Sequence, residues 1–295
     1  MQFAFSWSII IQKEWKGGKI MSDILKEYFA SSKIEYYAAL SYGDCIVSSE
    51  RIIAREEFKP KSVIIYLLPY YAGECENLSV YAASYDYHII LKEIGEGLIR
   101  ALAEKYPNAK MKSYGDHSPI DERAAALSSG LGIAGDNGLL INEKYGSYIF
   151  IGDVITDIPS EELSAIKPRE IRRCSGCGAC RSACPTGALR GESYDCLSAI
   201  TQKKGELSPS EVQLMKKHNT VWGCDICQSV CPYNAHPVPT PIEFFYRDRI
   251  PHLTREILDG LTNDEFERRA FAWRKRKTVE RNLELLYGEN ANNDN

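Results

Sequence analysis

The sequence predicts an α+β protein in three parts: a domain mixing strands and helices over residues 21–165, a small loop-rich cysteine module over 166–241, and a helical segment over 242–295. Three observations carry this. Ser62–Leu68 reads Ser-Val-Ile-Ile-Tyr-Leu-Leu, an unbroken β-branched and apolar run ended by Pro69, which is the pattern of a buried strand. Tyr85–Tyr106 places Ile90, Ile94, Leu98 and Ala101 at helical spacing with charges between them, which is an amphipathic helix. Eight of the ten cysteines fall between residues 174 and 231, in runs punctuated by Gly and Pro.

The remaining elements follow in order. Residues 22–32 predict a short helix ahead of the strand. Ser118-Pro119-Ile120-Asp121 reads as a helix start, with Ser118 as N-cap, Pro119 in the first turn and an acidic residue behind it. That helix is expected to run to about Ser129 and stop at Gly130. Leu139–Asn142 and Tyr148–Thr156 read as two strands joined by a turn at Gly146. Ile242–Tyr287 is helix-patterned and precedes a polar tail, Gly288–Asn295. At the other end, Met1–Ile20 holds an apolar run without a basic stretch before it or a small-residue cleavage site after it, so it does not read as a signal peptide. Lys16-Gly17-Gly18 can be encoded by a ribosome-binding purine run placed just ahead of Met21. Met21 is therefore the expected start, and residues 1–20 an extension outside the fold.

Composition narrows the class. The 295 residues are 44% hydrophobic and 26% charged, enough for one large or two smaller cores. A net charge of −4 excludes a general polyanion binder. No stretch approaches the ~20 apolar residues that span a bilayer, so no membrane partner is expected. Thiols in this number argue for a reducing, cytoplasmic setting.

The cysteines carry the chemistry. The first run is Cys174-Ser-Gly-Cys177-Gly-Ala-Cys180-Arg-Ser-Ala-Cys184-Pro185, and the second is Cys224-Asp-Ile-Cys227-Gln-Ser-Val-Cys231-Pro232, with Cys196 between them. C-x2-C-x2-C-x3-C-P is the bacterial ferredoxin pattern for 4Fe–4S clusters, in which the fourth cysteine ligates the neighbouring cluster. Zinc ribbons instead use separated C-x2-C knuckles, and a disulfide framework belongs to small secreted chains. Two clusters are expected: one on Cys174, Cys177, Cys180 and Cys231, the other on Cys184, Cys196, Cys224 and Cys227. Cys196 replaces the position that the second run lacks. Cys45 and Cys75 are left over and read as small buried hydrophobes.

Between the strand and the cysteines lie Asp86-Tyr87-His88, Tyr114-Gly-Asp116-His117-Ser118-Pro119-Ile-Asp-Glu-Arg123, Gly130-Leu-Gly-Ile-Ala-Gly-Asp136-Asn-Gly-Leu-Leu-Ile-Asn142 and Gly146-Ser-Tyr-Ile-Phe-Ile-Gly-Asp-Val-Ile-Thr156. With Cys184-Pro-Thr-Gly-Ala-Leu189 and the late Trp273-Arg-Lys-Arg-Lys-Thr-Val-Glu-Arg-Asn282, these motifs resemble the epoxyqueuosine reductase family from about Lys61 to Asn282. The resemblance implies a nitroreductase-like cobalamin-binding domain with a docked ferredoxin-like module. It implies base-off cobalamin fed by two 4Fe–4S clusters, and reduction of epoxyqueuosine to queuosine in tRNA. Asp116 matches the proton donor and also a cofactor contact. Arg51, Asp86, Leu140, Ile151 and Lys203 fall at the corrin site, and Arg123, Asn142 and Ser198 at the substrate. The implied partners are a tRNA anticodon stem-loop and an external donor such as ferredoxin or flavodoxin, with the chain acting as a monomer.

The residues read by themselves leave other roles open. Asp116, just before a predicted helix, would be held in its charged form by the helix dipole, which is the wrong form for an acid. Arg268, Arg269, Arg274, Lys275, Arg276, Lys277 and Arg281, with Arg172-Arg173 and Lys203-Lys204, could track phosphates or form a solvated face. The chain departs from the family pattern at His117-Ser118, where Thr-Gly is usual, at Asp136, where lysine is common, and in the short Cys184–Cys196 interval. Two rival functions remain: a corrinoid reductase acting on a small molecule or another corrinoid protein, and a two-cluster electron carrier without a corrin.

Overall fold

The computed structural model describes residues 23–193 and 195–288. The expected extension 1–20, the Met21 start and the tail after Gly288 lie outside the described residues. The chain opens with α1 (Asp23–Ser31), β1 (Tyr37–Ser41), α2 (Glu50–Ile53) and β2 (Ser62–Pro69). Next come the long helix α3 (Tyr87–Lys105), β3 (Met111–Tyr114), α4 (Glu122–Ser128), β4 (Ile133–Ala134), β5 (Leu140–Ile141) and β6 (Ile149–Thr156). The main sheet has the order β1-β2-β6-β3, and every pairing is antiparallel.

β2 is buried at all eight of its positions. Its alternate residues serve two cores. Ile64, Tyr66 and Leu68 pack with Leu25 and Phe29 of α1 and with Leu91, Ile94 and Leu98 of α3. Val63, Ile65 and Leu67 pack with Ala125 and Ala126 of α4 and with Leu140. A strand covered on both faces has no polar side to present, so it reads as an unbroken apolar run. Where β2 meets β6, Gly152 is required by space: a Cβ there would lie 2.5 Å from the Tyr66 ring.

Two expectations are corrected. The strand at Leu140 does not pair with β6. It pairs with β4, through Ile133↔Ile141 and Ala134↔Leu140, while Gly146 at φ +58° closes a turn back onto Asn142. The helix after Asp116 begins later than predicted. Its N-cap is Asp121, whose side chain accepts the Ala124 N–H at 2.8 Å. Ser118 instead turns its hydroxyl inward to Asp153 at 3.1 Å.

The cysteine module holds α5 (Ala179–Ala183), α6 (Leu197–Thr201), α7 (Pro209–Lys217) and α8 (Ile226–Ser229). The C-terminal segment is helical as expected, but broken into α9 (Arg255–Gly260), α10 (Asn263–Glu267) and α11 (Arg276–Tyr287), with 3-10 turns at Glu243–Tyr246 and Ala272–Arg274. Leu78 and Ala82 of the first domain share a core with Trp222, Phe271 and Val279. The cluster module is thus packed onto the first domain through side chains from all three parts.

Candidate functional site

The first cysteine set converges. A small recess is lined by Cys174, Cys177, Cys180 and Cys231, the four residues that spacing assigns to one cluster, together with Asp136 and Ile141. Gly176 and Gly178 have φ of +67° and +77°, a left-handed conformation that lets the loop fold over three successive thiols at no steric cost. The Asp136 N–H donates to Cys174 Sγ at 3.4 Å, the kind of amide contact that tunes a cluster. Among the described residues no three His, Cys, Asp or Glu side chains lie close enough to hold a single metal ion. A ring of four thiols around such a recess suits a multi-atom cluster better.

The second set is also brought together. Cys224 lies within electrostatic reach of Cys196 and Cys184, and Cys227 of Cys224, Cys184 and the first set's Cys180. Asp225, between two of these cysteines, is half-buried and satisfied by Ser79 Oγ at 2.7 Å, the Val80 N–H at 2.6 Å and Gln228 Nε2 at 2.8 Å. Asn137 Nδ2 donates to the Cys227 carbonyl at 3.4 Å. These bonds fix the cluster loops against the first domain. Cys45 and Cys75 are half-buried and belong to neither set.

Asp116 lies at the other end of the site. It is not part of a helix start, so the dipole argument lapses. Its backbone is left-handed, at φ +65°, and its N–H donates to Glu122 Oε1 at 3.2 Å. The Tyr87 hydroxyl donates to its Oδ2. His88 Nε2 lies 3.5 Å from the same oxygen, while His88 Nδ1 lies 2.7 Å from Asp86 Oδ1. The Asp116 side chain is 51% exposed, so its loss of water is partial; that loss still pushes the carboxyl above its ordinary value, with His117 opposing and Asp86 raising it further. Desolvation therefore favours the protonated form that an acid needs.

The surroundings of Asp116 are apolar on their open side. Tyr87 stacks on Phe150 with ring centroids 3.8 Å apart and planes at 11°. Ile149, Phe150 and Ile151 are half-buried, whereas the rest of β6 is buried. Ile46 is 62% exposed and Val47 is 37% exposed. Both run beside the Asp116 loop, because the Ser48 and Ser49 amides donate to Pro119 O and the Asp121 amide to Ile46 O.

The other expected residues are spread more widely. Arg51 is exposed on α2, just beyond that strap. Asp86 caps α3 through the His88 N–H at 3.0 Å. Arg123 is exposed on α4 and donates to the Gly138 carbonyl at 2.5 Å. Leu140 is buried in the core, and Ile151 is half-buried beside it. Asn142 is buried and fully engaged, its amide holding Leu131 O at 2.9 Å and the Lys144 and Tyr145 N–H groups. It shapes a turn, and its side chain is not free to meet a substrate. Lys203 is ion-paired with Asp195 at 2.6 Å and Glu211 at 2.5 Å. Ser198 Oγ accepts from Gln202 Nε2 at 3.0 Å. A second, open recess is lined by Tyr71, Cys75, Tyr148, His218, Cys224 and Asp225, among others, and holds none of the residues expected around the corrin.

Sequence reading passed over Tyr87, His88, Glu122 and Asp153. Asp153 left a signal: a lone acidic residue inside the apolar run Tyr148–Thr156. The others left none beyond proximity to Asp86 and Asp116.

Comparison with known proteins agrees with this geometry. Residues 173–234 match the family of 4Fe-4S double cluster binding domains, which spans all eight proposed ligands. The chain is 31% identical over 246 residues to an epoxyqueuosine reductase of Cyclobacterium marinum, covering 78% of this chain and 77% of the relative. It is 34% identical over 215 residues to that of Listeria monocytogenes, covering 68% of this chain and 54% of the relative. The chain thus spans only about half of the Listeria protein. Its fold is similar to a solved epoxyqueuosine reductase in complex with an epoxyqueuosine-modified tRNA-Tyr stem loop, with a TM-score of 0.71 and 24% identity over 90% of this chain and 80% of that one.

Proposed function

The chain belongs to the epoxyqueuosine reductase family, and from that premise we propose that it reduces epoxyqueuosine to queuosine in tRNA, with Asp116 as proton donor. Removing an epoxide oxygen as water takes two electrons and two protons and leaves a carbon–carbon double bond. The observation that carries the reading is the setting of Asp116. Its carboxyl accepts the Tyr87 hydroxyl and lies 3.5 Å from His88, and Tyr87 stacks on Phe150 beside it.

Base-off cobalamin, when bound, supplies a strongly nucleophilic reduced cobalt. The residues around Asp116 fit such a group, since Ile46, Val47, Phe150, Ile151 and Tyr87 offer apolar and aromatic faces to a large macrocycle. Arg51 is exposed on α2, close in the chain to Ile46 and Val47, Asp86 caps α3 next to Tyr87, and Leu140 packs with Ile151 in the core. Lys203 fits less well, because two carboxylates already hold it. The two cysteine sets would relay electrons from an external donor such as ferredoxin or flavodoxin. The first domain is read as nitroreductase-like and the cysteine module as ferredoxin-like, in a monomer. Arg123, Ser198 and the basic segment at 274–277 would face the anticodon stem-loop.

The test is anaerobic turnover by protein loaded with clusters and cobalamin. Epoxyqueuosine tRNA should give queuosine tRNA by mass spectrometry, and the free modified nucleoside or a small haloarene should not be consumed. Turnover of the small molecules alone would overturn the assignment, and a loaded protein inert toward all of them would make it an electron carrier.

A further inference from the structure

Behind Asp116 lies a second acidic site. Asp153 has no exposure. Its Oδ2 accepts the Ser118 hydroxyl at 3.1 Å, and its Oδ1 is buried without a partner. The side chain that reaches it is Glu122, at the start of α4 and within hydrogen-bonding range. Glu122 Oε1 also accepts the Asp116 N–H at 3.2 Å. Two carboxylates cannot hydrogen-bond to each other, but a carboxyl and a carboxylate can, because one supplies the proton. The orphan oxygen of Asp153 is satisfied when Glu122 carries that proton.

The neighbours agree with a protonated Glu122. Tyr66 on β2, Tyr114 on β3 and the Cys45 thiol lie within electrostatic reach of Asp153, while the Tyr66 hydroxyl donates to Leu91 O at 3.1 Å and Tyr114 to Glu56 at 2.9 Å. Asp116 faces Glu122, and His117 and Asp86 act on Asp116 in turn. Among the described residues, neither Glu122 nor Asp153 is ion-paired with a Lys, Arg or His. Burial foremost, then the Asp153 charge, raises Glu122 to about 9.

We propose that Glu122 and Asp153 share one proton and act as positioning residues for Asp116, the protonated Glu122 bridging the buried carboxylate to the Asp116 backbone. This rests on Asp116 being the proton donor. The bond from the Asp116 N–H and the bond from Ser118 to Asp153 lie on either side of residue 117. They pin the loop at two points and sustain the left-handed backbone of Asp116, which few non-glycine residues adopt. When the shared proton leaves, two like charges stand in contact at a dry site. Their repulsion outweighs one hydrogen bond, so Glu122 turns to solvent and the loop loses its anchor.

The test is amide exchange at Asp116 in the full chain, loaded with clusters and free of cobalamin. In wild type, protection corrected for intrinsic rate should be constant near neutral pH and fall at least about tenfold at alkaline pH, where the pair, raised by burial, gives up its shared proton. Glu122→Gln has a carbonyl for the Asp116 N–H and an amide to donate to Asp153, and it does not titrate, so its protection should stay flat. Asp153→Asn removes the like charge, and the wild-type break should disappear there too. Protection that falls equally in wild type and Glu122→Gln would overturn the proposal, as would wild-type protection that is flat throughout. The exchange result needs neither substrate nor corrin, so it stands if the assigned reaction fails.

Discussion

The cluster sites and the Asp116 corner are built in opposite ways. The first cluster set draws three of its four proposed ligands from one short run and the second draws two, and the loops are shaped by residues inside the runs, such as Gly176 and Gly178. The Asp116 corner draws on four separate segments: the strap at 46–49, the start of α3, the 116–122 loop and the open end of β6. A cluster holds its own loop together through metal–thiolate bonds once assembled. The Asp116 corner is held only by hydrogen bonds and packing. The first should therefore respond to loss of a ligand by losing its cofactor. The second should tolerate substitution structurally while losing chemistry.

The largest effect is expected at the corner. Asp116→Asn keeps the size of the side chain and a hydrogen bond to Tyr87 but cannot give a proton. Because Asp121 is the helix cap, the variant should fold with both clusters in place. Turnover of epoxyqueuosine tRNA should fall by about 10²–10⁴-fold, the usual worth of a positioned general acid. Iron content and thermal unfolding measured alongside separate the two outcomes. Normal turnover would remove Asp116 from the mechanism and make His88, 3.5 Å from the same oxygen, the next residue to change.

The contrast also explains what could be read without coordinates. Cluster spacing is a local property, and both ligand sets inferred from it are brought together. β2 and α3 were equally legible, because an eight-residue apolar run and a helical stripe each report a burial pattern. Pairing was not legible. The segment at Leu140 is apolar enough to join β6, but β4 competes for it, and Gly146 turns the chain back on itself. The cap was misread because Ser118 and Asp121 are both good N-caps, and only the buried Asp153 beneath the loop decides which side chain turns inward. Asn142 and Lys203 show the same limit. Sequence suggests a polar residue near a cofactor, but the neighbours that engage it, Leu131 O for one and Asp195 and Glu211 for the other, come from the fold.

Cys196 sharpens the comparison from the cluster side, since it is the one proposed ligand that belongs to neither run and is exposed. Cys196→Ala should retain the cluster on Cys174, Cys177, Cys180 and Cys231 and lose the other. Iron per chain should fall by about half from the roughly eight expected of two 4Fe–4S clusters, with one reduced-cluster EPR signal left. Undiminished iron would show that Cys196 is not a ligand.

The smallest effect belongs to the basic segment, where the fold removes several candidates. Arg276 donates to Leu258 O at 2.6 Å and Leu261 O at 2.9 Å, Arg281 holds Lys203 O at 2.7 Å, and Arg269 is 4% exposed. These arginines close the C-terminal segment. Arg274 differs: its guanidinium stacks on the exposed Trp273 ring at 3.8 Å, and Lys275 beside it is exposed. If these two meet phosphates, each contact contributes about 0.7–0.9 to the slope of log affinity against log salt. Arg274→Ala combined with Lys275→Ala should therefore flatten that slope by between about one and two units in stem-loop binding, with cluster and corrin content unchanged. Arg276→Ala should do the reverse. It leaves the slope alone and lowers stability by about 1 kcal/mol or more, as expected when backbone carbonyls lose a charged donor. An unaltered slope in the double variant would mark the segment as a solvated face and move the search for the RNA surface to Arg123 and Ser198.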